Sequence, residues 1–209
     1  MNRRLLLLGG GGHCRSVVDS ALSLNIYDEI GIVDFKDSSC LGIPVVGTDD
    51  DLPALYSKGW TDAFITLGSI GNTTVRRKLF QLINSIGLMV PAIIDPSAAV
   101  AAGTEIGRGV FIGKNAVLNT GASVGDCAII NTGAVVEHDC SVGAFAHVSP
   151  GAVLCGEVTV GADAHVGAGA VVRQQLVIGE HALVGAGSVV LREIPAHAKA
   201  YGNPCRVVE

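Results

Sequence analysis

From residue 94 to residue 190 the chain repeats itself every six residues. Stepping by six from Ile94 through Val100, Ile106 and Ile112 to Val190, every position is Ile, Leu or Val. Four places after each of them stands Ala, Ser, Thr, Cys or Val, except at Leu176 and Ile194, and Gly often occupies the place directly after. A helix needs a period of 3.6 and an ordinary strand a period of two, so a sustained period of six fits neither. It fits a parallel β-helix, in which each hexapeptide supplies a short strand and a turn and three hexapeptides close one coil. The aliphatic residue then points inward, the small residue fills the corner, and the glycine is expected to permit the turn. Residues three hexapeptides apart stack on neighbouring coils, at the roughly 4.8 Å spacing of paired strands.

Residues 1–92 follow other periods. RRLLLLG reads as a buried strand, GGGGH as a turn, and Val17, Val18, Ala21, Leu22 and Leu24 as the apolar face of a helix. EIGIVDF is a second strand, IPVVGTDDDLPALYSKG a short strand and a helix, and DAFITLGS another strand. Val75, Leu79, Leu82, Ile83 and Ile86 line a further helix ending at Gly87. Strands alternating with helices imply a small parallel sheet with right-handed crossovers. The predicted architecture is therefore a small α/β Rossmann-like domain over residues 1–92, whose last strand, LMVPAIID, runs straight into the first hexapeptide, followed by a left-handed β-helix and tail over residues 93–209 that the resemblance given below specifies.

The glycine turn invites a dinucleotide-binding reading, but the fingerprint G-x-G-x-x-G fails: counting from Gly9 its third glycine falls on Cys14, and from Gly10 on Arg15. What remains is a strand, four consecutive glycines and a helix N-terminus with free N–H groups, which together favour a phosphate or another anion. Asp34, at the end of the second strand, stands where a ribose or base can be reached. Arg76, Arg77 and Lys78 near a helix N-terminus are expected to be surface residues.

Composition removes several classes of function. The formal charge is −5, from 14 Lys+Arg against 19 Asp+Glu, which leaves no basic face for nucleic acid. The first apolar run, Leu5 to Leu8, is cut off by glycines and is too short for a membrane span or signal segment, so a cytoplasmic protein is expected. Cys14, Cys40, Cys127, Cys140, Cys155 and Cys205 form no Cys-x-x-Cys pair, and neither disulfides nor a metal site is expected.

One hexapeptide stretch carries chemistry-bearing residues: NTGAVVEHDC holds Asn131, Glu137, His138 and Asp139, and His147 follows. Imidazole is the side chain whose pKa lies nearest working pH, and a neighbouring carboxylate fixes its tautomer and raises its basicity. His138 stacks between Thr120 and Gly156, which leaves room beside the ring. His165, His181 and His197 read as exposed scaffold positions, Cys140 as packing and Glu137 as a solvated residue.

The unbroken pattern [LIV]-[GAED]-x-x-[STAV]-x, followed by YGNPCRVV, resembles the left-handed β-helix acyltransferases. With the GGGGH turn, the V-D strand end and the GSIGNTTVR segment, the whole chain is similar to the sugar acetyltransferases that modify nucleotide-linked 4-amino-4,6-dideoxy sugars, and to the sialic acid O-acetyltransferases. That resemblance implies an N-acetyltransferase using acetyl-CoA, with no metal cofactor. It implies His138 as general base, Asp139 as its orienting partner and Asn131 as a sugar contact. Gly11, His13, Asp34, Gly68 and Asn72 are implied to bind the nucleotide-linked amino sugar, and His147, Gly167, Ala168, Gly185, Ala186 and Arg206 the coenzyme. It further implies a homotrimer with active sites between neighbouring β-helices. Sialic acid O-acetylation and a non-catalytic sugar-nucleotide-binding scaffold are the alternatives. A γ-type carbonic anhydrase would need three histidines converging on zinc, which His138 and His147, nine residues apart, do not supply.

Overall fold

The computed structural model of the protein describes residues 3–36 and 39–208. It divides into two compact units, Met1–Gly68 with Thr74–Pro96, and Ser69–Thr73 with Ser97–Glu209. The division thus falls after Pro96 rather than Ala92, and the short segment Ser69–Thr73 belongs with the repeats although its neighbours in sequence do not.

The first unit is a parallel four-stranded sheet of β1 (Arg4–Leu8), β2 (Glu29–Val33), β3 (Val45–Gly47) and β4 (Asp62–Ile65), in the order β3-β2-β1-β4. Leu5 to Leu8 are wholly buried, as a central strand covered on both faces requires. The helices are α1 (Gly12–Leu24), α2 (Leu52–Ser57) and α3 (Thr74–Ile86). Val17, Val18 and Ala21 of α1 are buried, as are Leu79 and Ile83 of α3, whereas Leu22 and Val75 face outward. Arg76 is buried, contrary to the surface position expected for it. A polar anchor lies beneath α1, where Ser20 Oγ donates to Asp95 Oδ2 at 2.6 Å, both buried.

The second unit is the β-helix. Its strands are mostly two residues long and stack in register into three parallel sheets, with partners three hexapeptides apart: Val117 pairs with Val135, Ser123 with Ser141, and His147 with His165. Every aliphatic residue of the six-residue series from Ile112 to Val190 is buried, and so is the small residue four places after each. Burying one such Val, Leu or Ile side chain contributes about 1.5–3 kcal/mol, so the stack of coils carries its own core.

The three faces differ outwardly. One presents Ala99, Val117, Val135, Val153, Val171 and Val189 in a column, and we call it the valine face. The second presents Glu105, Ser123, Ser141, Thr159 and Val177. The third presents Phe111, Ile129, His147, His165 and Leu183, and we call it the histidine face.

The glycines after the aliphatic residues do not make the turns. The left-handed residue stands third after the aliphatic, and it is Gly at seven places, such as 103, 121 and 133, but a non-glycine residue, such as Asn115, Cys127, Asp139, Phe145 or Asp163, at eight others. Gly125, Gly143 and Gly161 on the second face have no positive φ. A Cβ at these positions would lie 2.7, 2.5 and 2.5 Å from the backbone nitrogen of the next coil. They are glycine because the following coil passes too close for a side chain.

Candidate functional site

His138 stands in the corner after the strand Val135–Val136, with its side chain about half exposed. The tight corner is closed by Asp139 in the left-handed region at φ 58°, a conformation that Asp tolerates better than most residues. The turn thereby brings two consecutive side chains to one site, and His138 Nδ1 lies 2.9 Å from Asp139 Oδ2. With Nδ1–H donating to the carboxylate, the Nε2 lone pair points away from the protein's own partners.

Glycines on the coils to either side make room for this pair. A Cβ on Gly156 would lie 2.5 Å from His138 Nε2 and 2.6 Å from its Cε1, so the imidazole rests on the space that Gly156 leaves empty. A Cβ on Gly121 would collide with the Asp139 carboxylate. The room read beside His138 from the sequence is thus taken by the ring itself. Glu137 is half-buried rather than solvated: its Oε2 accepts from Asn119 Nδ2 at 2.9 Å and from the His138 N–H at 3.3 Å. The hydrogen bond to Asp139 lifts the His138 pKa above the ordinary imidazole value, helped by the charges of Asp139, Glu137 and Glu157 and opposed by slight desolvation. Such a group is a base of raised strength, held in one tautomer and open to solvent on its reactive side.

The histidine face is different. His147 Nδ1 donates to the Ser69 carbonyl at 3.0 Å, and Asn131 Nδ2 donates to His147 Nε2 at 3.1 Å, so both nitrogens are engaged in the neutral ring. Asn131 Oδ1 meanwhile accepts from the Thr132 N–H at 2.8 Å. Asn131 therefore lies with His147, not beside His138. His165, expected at the surface, is only 7 % exposed, because its ring packs edge-on against His147 with centroids 5.0 Å apart. Burial lowers its pKa, against a smaller upward pull from the Ser69 carbonyl. A groove of about 410 Å³ runs over this face. Its lining includes His147, Gly167, Ala168, Gly185 and Ala186, brought together from three coils, and also Ile70. Arg206 is outside that lining; it is exposed and donates to the Cys205 carbonyl at 3.1 Å. His181 and His197 are exposed and stack on each other with centroids 4.9 Å apart.

In the α/β unit the residues gather at the carboxyl ends of β1 and β2. Gly9 turns the chain at φ 107°, Gly10 N–H donates to Asp34 Oδ2 at 2.5 Å, and Lys36 N–H to Asp34 Oδ1 at 2.9 Å. These two N–H groups, Gly10 foremost, hold the Asp34 carboxyl below its usual pKa. Gly11 caps α1 without a side-chain hydrogen bond, and among the described residues nothing stands within 4 Å of where a Cβ of Gly11 or Gly12 would lie, an arrangement that leaves the first turn of the helix able to meet an anion. Gly68 passes 3.7 Å from His13 Cβ. A cavity of about 120 Å³ lies here, lined by Gly9, Asp34, Phe35, Asp49 and Leu67 among others. Phe35, 78 % exposed, is a flat apolar surface beside Asp34 that the sequence reading passed over. Asn72 belongs to the other unit.

Among the described residues no three His, Cys, Asp or Glu side chains are arranged to hold a metal ion, and no helix is long and apolar enough to cross a membrane. All six cysteines are free thiols, and Cys140 Sγ is bonded to the Cys155 carbonyl at 3.1 Å inside the coil.

Residues 4–83 match the family model of the PglD N-terminal domain, residues 103–138 that of the hexapeptide repeat of succinyl-transferase, and residues 157–192 that of the bacterial transferase hexapeptide. No curated protein matches the chain. Among solved structures, the acetyltransferase domain of PglB from Neisseria gonorrhoeae, in complex with acetyl coenzyme A, is 35% identical over 100% of both chains, with a TM-score of 0.93. PerB from Caulobacter crescentus, in complex with CoA and GDP-perosamine, is 38% identical over 98% of this chain and 97% of its own, with a TM-score of 0.92. A histidine-to-asparagine variant of the Caulobacter crescentus perosamine N-acetyltransferase, with the same two ligands, is 37% identical over 98% and 96%, with a TM-score of 0.93. With a PglD-type α/β domain followed by hexapeptide coils, the chain belongs to the left-handed β-helix family of sugar acetyltransferases.

Proposed function

We propose that the protein transfers the acetyl group of acetyl-CoA to the 4-amino group of a nucleotide-linked 4-amino-4,6-dideoxy sugar, with His138 as general base. The observation that carries this reading is the His138 corner, where one ring nitrogen is bound to a carboxylate and the other is left open above a glycine. The sugar nitrogen attacks the thioester carbonyl carbon, a C–N bond forms, and the departing N–H proton passes to His138 Nε2. Collapse of the tetrahedral adduct breaks the C–S bond, and the thiolate of coenzyme A takes up the proton from the imidazolium. Asp139 steadies that imidazolium, and neither a metal nor a covalent enzyme intermediate takes part.

The substrate class rests on PerB, 38% identical and bound to GDP-perosamine in its structure. In the α/β unit Gly11, His13, Asp34 and Gly68 hold the nucleotide, with Phe35 against the base, and in the other unit Asn72 and Asn131 are the sugar contacts. The coenzyme takes the groove of the histidine face, with Arg206 on one of its phosphates. The valine face is an apolar column whose residues are mostly half-buried, and a homotrimer covers it. The reaction runs in the cytoplasm, where acetyl-CoA is formed.

The test is release of free coenzyme A thiol from acetyl-CoA with a panel of UDP-, dTDP- and GDP-linked 4-amino-4,6-dideoxy sugars, beside free and CMP-linked sialic acid. Turnover with one amino-sugar nucleotide is expected. Turnover with a sialic acid alone would replace this reading by O-acetylation, and ligand binding without thiol release would replace it by a scaffold role.

A further inference from the structure

Ile70 is 73 % exposed, a large apolar side chain left in water, and it is not exposed for want of tethering. The residue before it, Ser69, accepts the Nδ1–H of His147 on its carbonyl at 3.0 Å. Three residues after it, the Thr73 hydroxyl is hydrogen-bonded to the buried carboxylate of Asp163. Between these pins Gly71 turns the chain at φ 71°, and a Cβ there would lie 3.3 Å from Leu183 Cδ1, so the segment is seated on the coils along its length. A tethered segment holding an isoleucine out to solvent is displaying it.

The side chain is displayed along the groove of the histidine face, which Ile70 lines together with Pro150, Leu183 and Ala186. That groove also contains a polar vacancy that points to a ligand. His165 lines it, is more than nine-tenths buried, and its Nδ1 has no partner in hydrogen-bonding geometry among the described residues. The Ser69 carbonyl accepts from His147 at 3.0 Å and acts on the His165 ring only from outside hydrogen-bonding geometry. Among the described residues the buried Ser149 hydroxyl has His165 Nε2 as its hydrogen-bond partner, at 3.3 Å. With Ser149 donating to Nε2, His165 carries its proton on Nδ1, toward the groove's occupant. An occupant suited to this groove is long, mostly apolar, and has a carbonyl oxygen along its length. The pantetheine arm of coenzyme A, with two amide carbonyls on a short aliphatic chain, has that character.

We propose that Ile70 is a coenzyme-binding residue, forming with Leu183 and Pro150 the wall that covers the pantetheine arm, while His165 Nδ1–H reaches one of its amide carbonyls as the arm settles. This rests on the acetyl-CoA reading above. It adds that the wall comes from the Ser69–Thr73 segment and not from the repeats alone. The experiment is calorimetric titration of the full-length protein with CoA and, separately, with 3′,5′-ADP, which lacks the pantetheine arm. No sugar acceptor is present in either titration. Ile70→Ala is expected to weaken CoA binding by about tenfold, the loss of a few methyl-sized groups from a buried contact. Ile70→Leu is expected to stay within about threefold, since it keeps the volume. Binding of 3′,5′-ADP is expected to be equal in all three proteins, and in turnover KM for acetyl-CoA is expected to rise more than kcat falls. Unchanged CoA affinity in Ile70→Ala, or an equal loss for 3′,5′-ADP, would overturn the assignment while leaving the acetyl-CoA reading standing. Absence of CoA binding by the unaltered protein would overturn both.

Discussion

The His138 corner and the histidine face are built from the same kind of hexapeptide, with His138 and His147 nine residues apart in sequence, yet they put imidazoles to opposite uses. At the corner the ring is half exposed, beside a carboxylate, with one nitrogen open and a pKa lifted. On the face His147 has both nitrogens engaged in its neutral form, and His165 is buried with its pKa lowered. The repeat determines only where a side chain leaves the coil. Whether that side chain is a base or part of a wall depends on what stacks above and below it. For His138 that is Gly156, and for His147 it is another aromatic ring.

The largest break in this comparison is His138→Ala, for which we expect turnover to fall by about 10²–10⁴-fold, the usual worth of a positioned general base. Thiol release under saturating acetyl-CoA measures it, and near-normal turnover would remove His138 from the chemistry. Gly156→Ala asks whether the neighbour matters as much as the histidine. The added Cβ takes the place of the ring, and a loss of about 10–100-fold in kcat is expected with little change in Tm, since a misplaced base loses rate steeply. Its counterpart is Gly161→Ala, where the Cβ would strike the backbone of the next coil at Glu180. There melting should suffer first, by an overpacking cost of about 1–3 kcal/mol.

Asp139→Asn sharpens the electrostatic half of the contrast, and Asn is chosen because it accepts the left-handed φ of 58°. His138 must be neutral to act as a base, so activity rises as pH climbs through its pKa. Because Asp139 lifts that pKa, the acid limb of the native profile lies above the ordinary imidazole value. Removing the carboxylate should move the limb to lower pH and lower the plateau about tenfold, as the base weakens. A limb that stays in place would mean that another group titrates in the profile.

The smallest effect concerns the face. A histidine whose folded pKa is lowered binds its proton more readily when unfolded, so its stabilisation is present above about pH 6.5 and is lost as pH falls from there through the lower folded value. On going from pH 7.5 to pH 5, His165 is expected to account for a drop in Tm of about 2–4 °C that His165→Gln lacks. Equal slopes in the two proteins would show that its burial is not felt in that range.

The architecture was legible in the sequence because a stacked coil is a periodic object: the inward aliphatic and the small corner residue recur at fixed places and need no distant partner to explain them. The pairing of His138 with Asp139 was implied by the resemblance to the sugar acetyltransferases, and it needs no distant partner because it is local to one turn. The burial of Arg76 was not, since a charge at that place reads as surface unless its surroundings are known. Nor was the role of the eight glycines that follow the aliphatics. Turn freedom and close approach leave the same letter in a sequence, and only the non-glycine residues at the left-handed place, such as Asn115 and Asp139, hinted that the turn is made elsewhere.

By itself, then, the sequence determined the repeat, the inward core, the α/β unit before it and the adjacency of His138 and Asp139 at one corner, all set by spacing within a few residues. Tertiary structure decided what spacing cannot reach. It drew Ser69–Thr73 out of the α/β unit to lie with the coils, buried His165 against His147, and left Ile70 displayed beside a groove built from three coils. Such contacts join residues tens of positions apart, and their energies depend on which groups meet, a matter that no local pattern encodes.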